Sequence, residues 1–334
     1  MPKPEAVNWG ILGPGRIAVK FAIGLRDAAG ARLVAVGSRS AERAARFAAE
    51  YGAARAHAGY EALAADPDVH AVYVATPHPQ HAAACRLCLE AGKHVLCEKP
   101  LTVNAAEARA VAACAREHGV LLMEGMWTRF IPATAALRAL IDAGEIGEPH
   151  VVHADIGFAS APDPASRLFA PELAGGALLD LGVYCVSFAS MLLGTPSGVA
   201  AAAHLGATGV DERTAVSLRY PGGAVAALTC SLTTRSPHLA SVVGSGGYVI
   251  VGPRFWRSER LIVHRGDAAP DERSYPHTGN GFNYEAEHFM ELIRAGATDS
   301  PVMPLAESIA ISETLDAARR FIGVRYPFET EEEA

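Results

Sequence analysis

Residues 7–18, Val7-Asn8-Trp9-Gly10-Ile11-Leu12-Gly13-Pro14-Gly15-Arg16-Ile17-Ala18, run from a short apolar stretch into two glycines and on into the helix-forming VKFAIGLRDA. A buried strand, a glycine turn and a helix are the opening of a βαβ unit. In the G-x-G-x-x-A spacing, Gly13 and Gly15 permit a tight turn and let backbone amides approach a pyrophosphate, which a helix N-terminus also favours. Ala18 stands at the third position because helix and strand need only a small side chain there. Gly13, Gly15, Arg16 and Ile17 are therefore candidate dinucleotide-binding residues.

The rhythm continues outward from that turn. ARLVAVGSR reads as a second strand, SAERAARFAAEYG as an amphipathic helix, YEALAADPD as a shorter helix and HAVYVATP as a third strand. HAAACRLCLEAG, KHVLCEKP, NAAEARAVAACAREHG and VLLMEG then alternate helix and strand up to about Gly125. Such alternation predicts a parallel sheet with crossover helices. Beyond it, after a helical PATAALRALIDAGEIG, the pattern changes. Thr214, Val216, Leu218 and Tyr220 alternate with Arg213, Ala215, Ser217 and Arg219, and Leu228, Cys230 and Leu232 with Thr229, Ser231 and Thr233. Period-two alternation belongs to an antiparallel sheet with one face covered, and residues 175–193 are available as the covering helix. FNYEAEHFMELIRAG and LAESIAISETLDAARRFIG read as two further helices, and ETEEEA as a charged tail. The expected architecture is α/β plus α+β: a Rossmann doubly wound parallel sheet over 1–126, then a mostly antiparallel open-sheet domain over 127–334 for substrate binding and oligomerisation.

Bulk properties restrict the function. With 334 residues the chain suits two domains sharing a cleft, and 50% hydrophobic against 19% charged residues is a globular balance. A net charge of −7 with dispersed Lys and Arg excludes an electrostatic footprint for nucleic acid. The start, MPKPEAVNWG, lacks a basic region followed by an apolar one, which predicts a cytoplasmic location. The stretch from Gly175 to Gly194 has the length of a membrane span, but Asp180 inside it fits a buried helix beside an active site better than lipid, so no membrane is expected. Among the six cysteines, Cys85 and Cys88 form C-x-x-C in mid-helix, where packing explains them. No metal is expected, since His78 and His81 have no carboxylate in ligand spacing.

The end of the second strand reads Gly37-Ser38-Arg39-Ser40, with no acid before Glu42. An acid there would bind both ribose hydroxyls and repel a phosphate. Arg39 can instead pair with a 2′-phosphate and stack on adenine, and the serines can donate hydrogen bonds, so NADP is expected over NAD.

Cys97-Glu98-Lys99-Pro100 ends a strand at the carboxyl edge, where ligands of open sheets bind. Alone, the tripeptide is a strand-to-loop transition. Together with GPGRIA, ATPHPQH, AGKHVLCEKPLTVN, LLMEGMWTRFIPA and GGALLDLGVYCVSF, however, it resembles the Gfo/Idh/MocA oxidoreductases in the right order over essentially the whole chain. Within that family, PQH, AGK-x-VLCEKP, WTRF, GGALLDLG-x-YCV and NYEA-x-H are similar to the subgroup of dimeric dihydrodiol and NADP-dependent D-xylose dehydrogenases.

The resemblance implies hydride transfer between a nicotinamide and a secondary alcohol or carbonyl of a small sugar, polyol or cyclic diol. It implies that Lys99 hydrogen-bonds the reacting hydroxyl and the nicotinamide ribose, and that Asp180 is the family's helix aspartate. Tyr184 stands where many relatives carry a histidine acid/base, as it does in the subgroup. Cofactor contacts are implied for Glu98 and for the loop Thr76-Pro77-His78-Pro79-Gln80-His81, in which His78 replaces a common asparagine. Trp127 and Arg129 are implied to wall the nicotinamide side, and a homodimer through the C-terminal sheet is implied as well.

Residue spacing agrees with these roles. Asp180 and Tyr184, at i and i+4, share a helix face. A phenol titrates near about 10, too high for an efficient base, and a nearby ammonium lowers it. A Lys99 and Tyr184 pair could therefore accept the hydroxyl proton. A second reading is a non-catalytic NADP-binding regulatory or redox-sensing protein, for which the set Lys99, Asp180 and Tyr184 has no use. A third is a relative that retains its cofactor and couples two sugars, a kind usually preceded by an N-terminal extension. The substrate stays open, because Asp163, Arg167 and Phe169 lie in a loop, 159–172, whose geometry the sequence does not give.

Overall fold

The computed structural model describes residues 6–329, so the charged tail beyond Glu329 lies outside the described residues. The chain begins with β1 (Val7–Leu12), α1 (Arg16–Asp27), β2 (Ala31–Ser38), α2 (Ala41–Tyr51), β3 (Arg55–Ala58), α3 (Tyr60–Ala64), β4 (Ala71–Val74), α4 (His81–Glu90), β5 (His94–Glu98), α5 (Ala105–His118) and β6 (Leu122–Gly125). The sheet order is β3-β2-β1-β4-β5-β6 and every pair is parallel. Strand order reverses between β1 and β4, which makes the crevice at their carboxyl ends the topological switch point. The four-residue edge strand β3 is too short to show periodicity, so the strand expected as third is the fourth and the one ending in Glu98 is the fifth.

Local chemistry fixes these elements. Helix α2 begins at Ser40, whose Oγ accepts the Arg43 N–H at 3.2 Å, and ends at Gly52 in the left-handed region. Between the caps Ala44, Phe47 and Ala48 recur at helical spacing and are buried. Ser40→Ala would cost about 1 kcal/mol. Inside the unit Phe21 stacks on Tyr73 with centroids 3.6 Å apart, and Trp9 meets Phe21 edge-on at 5.3 Å. All three are fully buried, and truncating Phe21 to Ala would cost about 3–5 kcal/mol.

The second sheet follows α6 (Pro132–Asp142). It is built from β7 (Pro149–Gly157), then, after α7 (Val183–Leu193), β8 (Gly198–Leu205), β9 (Asp211–Arg219), β10 (Val225–Ser231), β11 (Ala240–Gly244), β12 (Gly247–Val251), β13 (Arg260–Arg265) and β14 (Asp271–Ser274). The order is β14-β13-β12-β11-β7-β10-β9-β8, antiparallel except for β10 against β7. Thr214, Val216, Leu218, Ala226, Leu228 and Cys230 are buried, while Ala215, Ser217, Ala227 and Thr229 between them are exposed. The covering segment is not one uniform helix. A π turn, Leu178–Gly182, precedes α7, and both pack on β7 and β10. The apolar stretch from Pro171 to Leu193 is thus core, with 78% of its most apolar window buried.

Helices α8 (Phe282–Ala295) and α9 (Leu305–Ile322) complete the described chain. Two compact units result, one of residues 1–102, 106–130 and 278–308, the other of 103–105, 131–277 and 309–334. They do not follow a single cut at 126/127, because α8 packs on α1 and Phe289 lies 5.4 Å from Trp9. Helical periodicity shows that Phe282, Ala286, Phe289, Met290 and Ile293 share a buried face; it does not say which element covers that face.

Candidate active site

In the first unit the glycine turn has the shape its sequence implies. Gly13 adopts φ +82°, and a Cβ there would lie 2.8 Å from the Ala75 carbonyl oxygen, so only glycine lets β1 and β4 end this close together. At Gly15 a Cβ would meet nothing nearer than 3.9 Å, leaving open space over the start of α1. The α1 N-terminus has no side-chain cap, so its first N–H groups remain available to an anion. Arg16 is exposed and Ile17 half-buried beside that opening.

At the end of β2, Ser38 is buried and its Oγ accepts the Ser40 N–H, which leaves its hydroxyl proton to donate. Arg39 is exposed. Arg43, which the sequence reading did not single out, donates to the Pro14 carbonyl at 3.5 Å; a second guanidinium thus stands beside the glycine turn. Its signal was the i+4 spacing from Arg39 across a helix start.

After β4, Pro77 leads into a 3-10 turn, His78–Gln80. Thr76 Oγ1 is buried with no hydrogen-bond partner among the described residues. An orphaned hydroxyl at the switch point, beside a glycine cradle and an uncapped helix start, fits the ribose and phosphates of a dinucleotide. His81 is fully buried, its ring nitrogens 2.8 Å from the Pro100 oxygen and 2.9 Å from the Thr76 oxygen. Burial holds its imidazole below the usual histidine range, against the two carbonyls, which favour the charged ring. The structure therefore places His81 as a brace between the Thr76 loop and the Lys99–Pro100 turn. His78 packs edge-on to it with centroids 5.7 Å apart.

Lys99 is half-buried where β5 ends, and its peptide bond to Pro100 is cis. Glu98 faces inward: its Oε1 accepts the Tyr73 hydroxyl, and its Oε2 accepts the Lys99 N–H at 3.2 Å. Glu124 Oε1 takes the Leu101 N–H at 3.0 Å. Two buried carboxyls thus shape the turn that presents Lys99. Trp127 stacks on Phe282 with centroids 4.6 Å apart. Arg129 is buried and donates to Glu307 at 2.6 Å and to the Val302 carbonyl at 3.3 Å.

In the second unit the π turn carries Asp180 and the start of α7 carries Tyr184. Asp180 accepts the Arg167 guanidinium at 3.2 and 3.5 Å. The other residues of the 159–172 loop have different tasks. Asp163 caps its own turn by accepting the Ala165 N–H at 3.0 Å, and Phe169 is buried. Tyr184 borders, through Trp256, an aromatic group that sequence order does not reveal. Trp256 lies 6.5 Å from the Tyr184 ring, 5.8 Å from Phe158 and 5.0 Å from His238. Phe158 directly follows β7, and His238 and Trp256 lie in the segments before β11 and β13, far apart in sequence. Among the described residues no group of three His, Cys, Asp or Glu is placed to hold a metal.

A glycine turn at a Rossmann switch point, with a lysine at the neighbouring strand end, defines a nicotinamide-dependent oxidoreductase. Residues 7–126 match the model described as the oxidoreductase family with NAD-binding Rossmann fold, and residues 134–250 match the GFO/IDH/MocA C-terminal domain. The chain is 42% identical over 334 residues to the mouse trans-1,2-dihydrobenzene-1,2-diol dehydrogenase, covering 96% of this chain and 98% of that one. It is 40% identical to the human protein of the same name over 335 residues, with the same coverage. Among solved structures it is similar to a 3-ketoreductase from Actinomadura kijaniata in complex with NADP and TDP-benzene, with TM-score 0.85, 28% identity, and 95% and 98% of the two chains covered. It is also similar to an aldose-aldose oxidoreductase from Caulobacter crescentus, with TM-score 0.86, 26% identity, and 95% and 97% covered. The chain belongs to the Gfo/Idh/MocA oxidoreductase family.

Proposed function

We propose that this oxidoreductase is an NADP-dependent dehydrogenase acting on a secondary alcohol, or the matching carbonyl, of a small sugar, polyol or cyclic diol. The carrying observation is Lys99 at the carboxyl end of β5, in the sheet whose switch point holds the Gly13 cradle and the orphaned Thr76 hydroxyl. Gly13, Gly15 and the α1 N-terminus would hold the pyrophosphate, and Ser38, Arg39 and Arg43 the 2′-phosphate. When bound, the nicotinamide supplies the hydride acceptor or donor. Lys99 and Tyr184 serve the proton transfer at the substrate hydroxyl, with Asp180 and its Arg167 partner orienting that end of the site.

The ring group of Trp256, Phe158 and His238, which meets Tyr184 through Trp256, favours a substrate with an apolar ring face, such as a cyclic diol or a sugar presented on its C–H side. The relatives named as dihydrodiol dehydrogenases support the same class. Turnover of D-xylose, inositols and trans-1,2-dihydrobenzene-1,2-diol with NADP and with NAD tests the reading. Activity on at least one, with NADP preferred, is the expected result; no turnover of any with either cofactor contradicts it.

A further inference from the structure

Asp211 opens β9 and is fully buried. Its Oδ2 accepts two hydrogen bonds, from the Leu178 backbone N–H at 2.8 Å and from the Thr214 hydroxyl at 2.6 Å. Leu178 is the first residue of the π turn that carries Asp180, and Tyr184 follows at the start of α7. The first N–H groups of a helical segment have no partner of their own, and Ala177, which precedes this one, has no side chain to cap it. The buried carboxyl of a distant strand does the capping.

The approach is built for. Gly176 adopts φ +126°, and a Cβ there would lie 2.2 Å from Asp211 Oδ1. The Gly175 carbonyl accepts the Tyr326 hydroxyl at 2.8 Å. At the far end of the turn, a Cβ on Gly182 would meet Leu178 Cδ1 at 3.0 Å and Cys230 Sγ at 3.1 Å. The turn is thus tied at its start and closely packed at its end, in a winding that helices otherwise avoid and that recurs at functional sites. Relaxing it by one residue toward α geometry would rotate Asp180 by about 100° relative to α7.

We propose that Asp211 is the positioning residue for Asp180 and Tyr184, holding the first N–H of the π turn so that both side chains keep their relative orientation. The proposal rests on the reading of Tyr184 as a proton-transfer residue. It predicts that Asp211→Ala lowers kcat about tenfold or more while NADPH affinity, by fluorescence titration, stays within about twofold. Asp211→Asn keeps an acceptor oxygen for Leu178 and Thr214, so it should stay within about threefold of the parent. In a Tyr184→Phe background the Ala substitution should cost less than about twofold, because residues serving one step are not additive.

The assay is NADP reduction with D-xylose or trans-1,2-dihydrobenzene-1,2-diol. Equal losses for Ala and Asn, or the same factor lost in both backgrounds, would overturn the proposal, since a residue that merely holds the fold predicts them. Should Asp211→Ala fail to fold, Thr214→Val removes one bond to the carboxyl without changing shape. Its turnover loss must then vanish in the Tyr184→Phe background, and a loss that persists there overturns the proposal. Tyr184→Phe turning over like the parent would overturn the reading of Tyr184. A slow Tyr184→Phe beside an unimpaired Asp211→Ala overturns only the role of Asp211.

Discussion

Arg167 reaches Asp180 with both terminal guanidinium nitrogens, at 3.2 and 3.5 Å, and so ties the 159–172 loop to the π turn that begins at Leu178. The Arg167 side chain is 49% exposed and that of Asp180 9%. An ion pair with one arm in water contributes at most about 1 kcal/mol to stability; its effect is to restrict where Asp180 points.

Arg167→Gln should therefore lower Tm by less than about 2 °C while reducing kcat about threefold to tenfold through misorientation of Asp180. Thermal unfolding and steady-state kinetics on one preparation check this. A large drop in Tm with unchanged kcat would make the pair structural.

Arg39 stands exposed at the end of β2, and no acid occurs before Glu42 in the first turn of α2. NADP should be preferred over NAD in kcat/KM. Arg39→Ala should weaken NADP by about 1–3 kcal/mol, the loss of charged hydrogen bonds to a phosphate, and leave NAD nearly unchanged. Equal values for the two cofactors in the parent protein would contradict the assignment.

The open face of the second sheet presents Ala215, Ser217, Ala227 and Thr229 from adjoining strands, small uncharged side chains between the exposed Arg213 and Arg219 of β9. Such a face suits a second copy of the chain, and a homodimer is expected. Ala227→Arg, in mid-strand, should yield monomers by light scattering with unchanged circular dichroism. A monomeric parent protein at micromolar concentration would refute the pairing.

Most of the first sheet was legible because its strands are buried and its longer helices have periodic buried faces. β3 was not, since four alternately half-buried residues carry too little pattern. The glycine turn and Lys99 could be located because a strand-turn-helix fixes their geometry locally. His81, Glu98 and Arg129 show the limit of such reading. Each lies beside the motif residues, yet each is turned inward to partners that only the tertiary fold supplies: Pro100, Tyr73 and Glu307. The ring cluster of Trp256, Phe158 and His238 was invisible for the same reason, as was the covering partner of α8.

Burial pushes the Asp211 carboxyl up to about 6, against the hydrogen bonds from Thr214 and Leu178 and the charge of Arg319. The folded state thus holds this proton between the unfolded value of about 3.9 and about 6. Stability from this group is fully present below that window and is lost as pH rises through it. Asp211→Asn has no such loss. The Tm of the variant should gain on that of the parent between pH 4 and 6 and run parallel to it above about pH 7. A gap independent of pH would contradict this.

Lys99 and Tyr184 are proposed to serve one proton-transfer step, and a double-mutant cycle on kcat separates a shared step from two independent roles. Tyr184→Phe keeps the ring and its packing while deleting the hydroxyl, and Lys99→Met keeps the stem while deleting the charge. Each single change should lower kcat by about a hundredfold to ten-thousandfold with far smaller effects on cofactor affinity. The double variant should lose much less than the product of the two, as members of one unit do. A deuterated substrate shows whether hydride transfer limits the rate. Tyr184→Phe with near-parental turnover under that limitation, or losses that simply multiply, would mean that the two residues do not share one step.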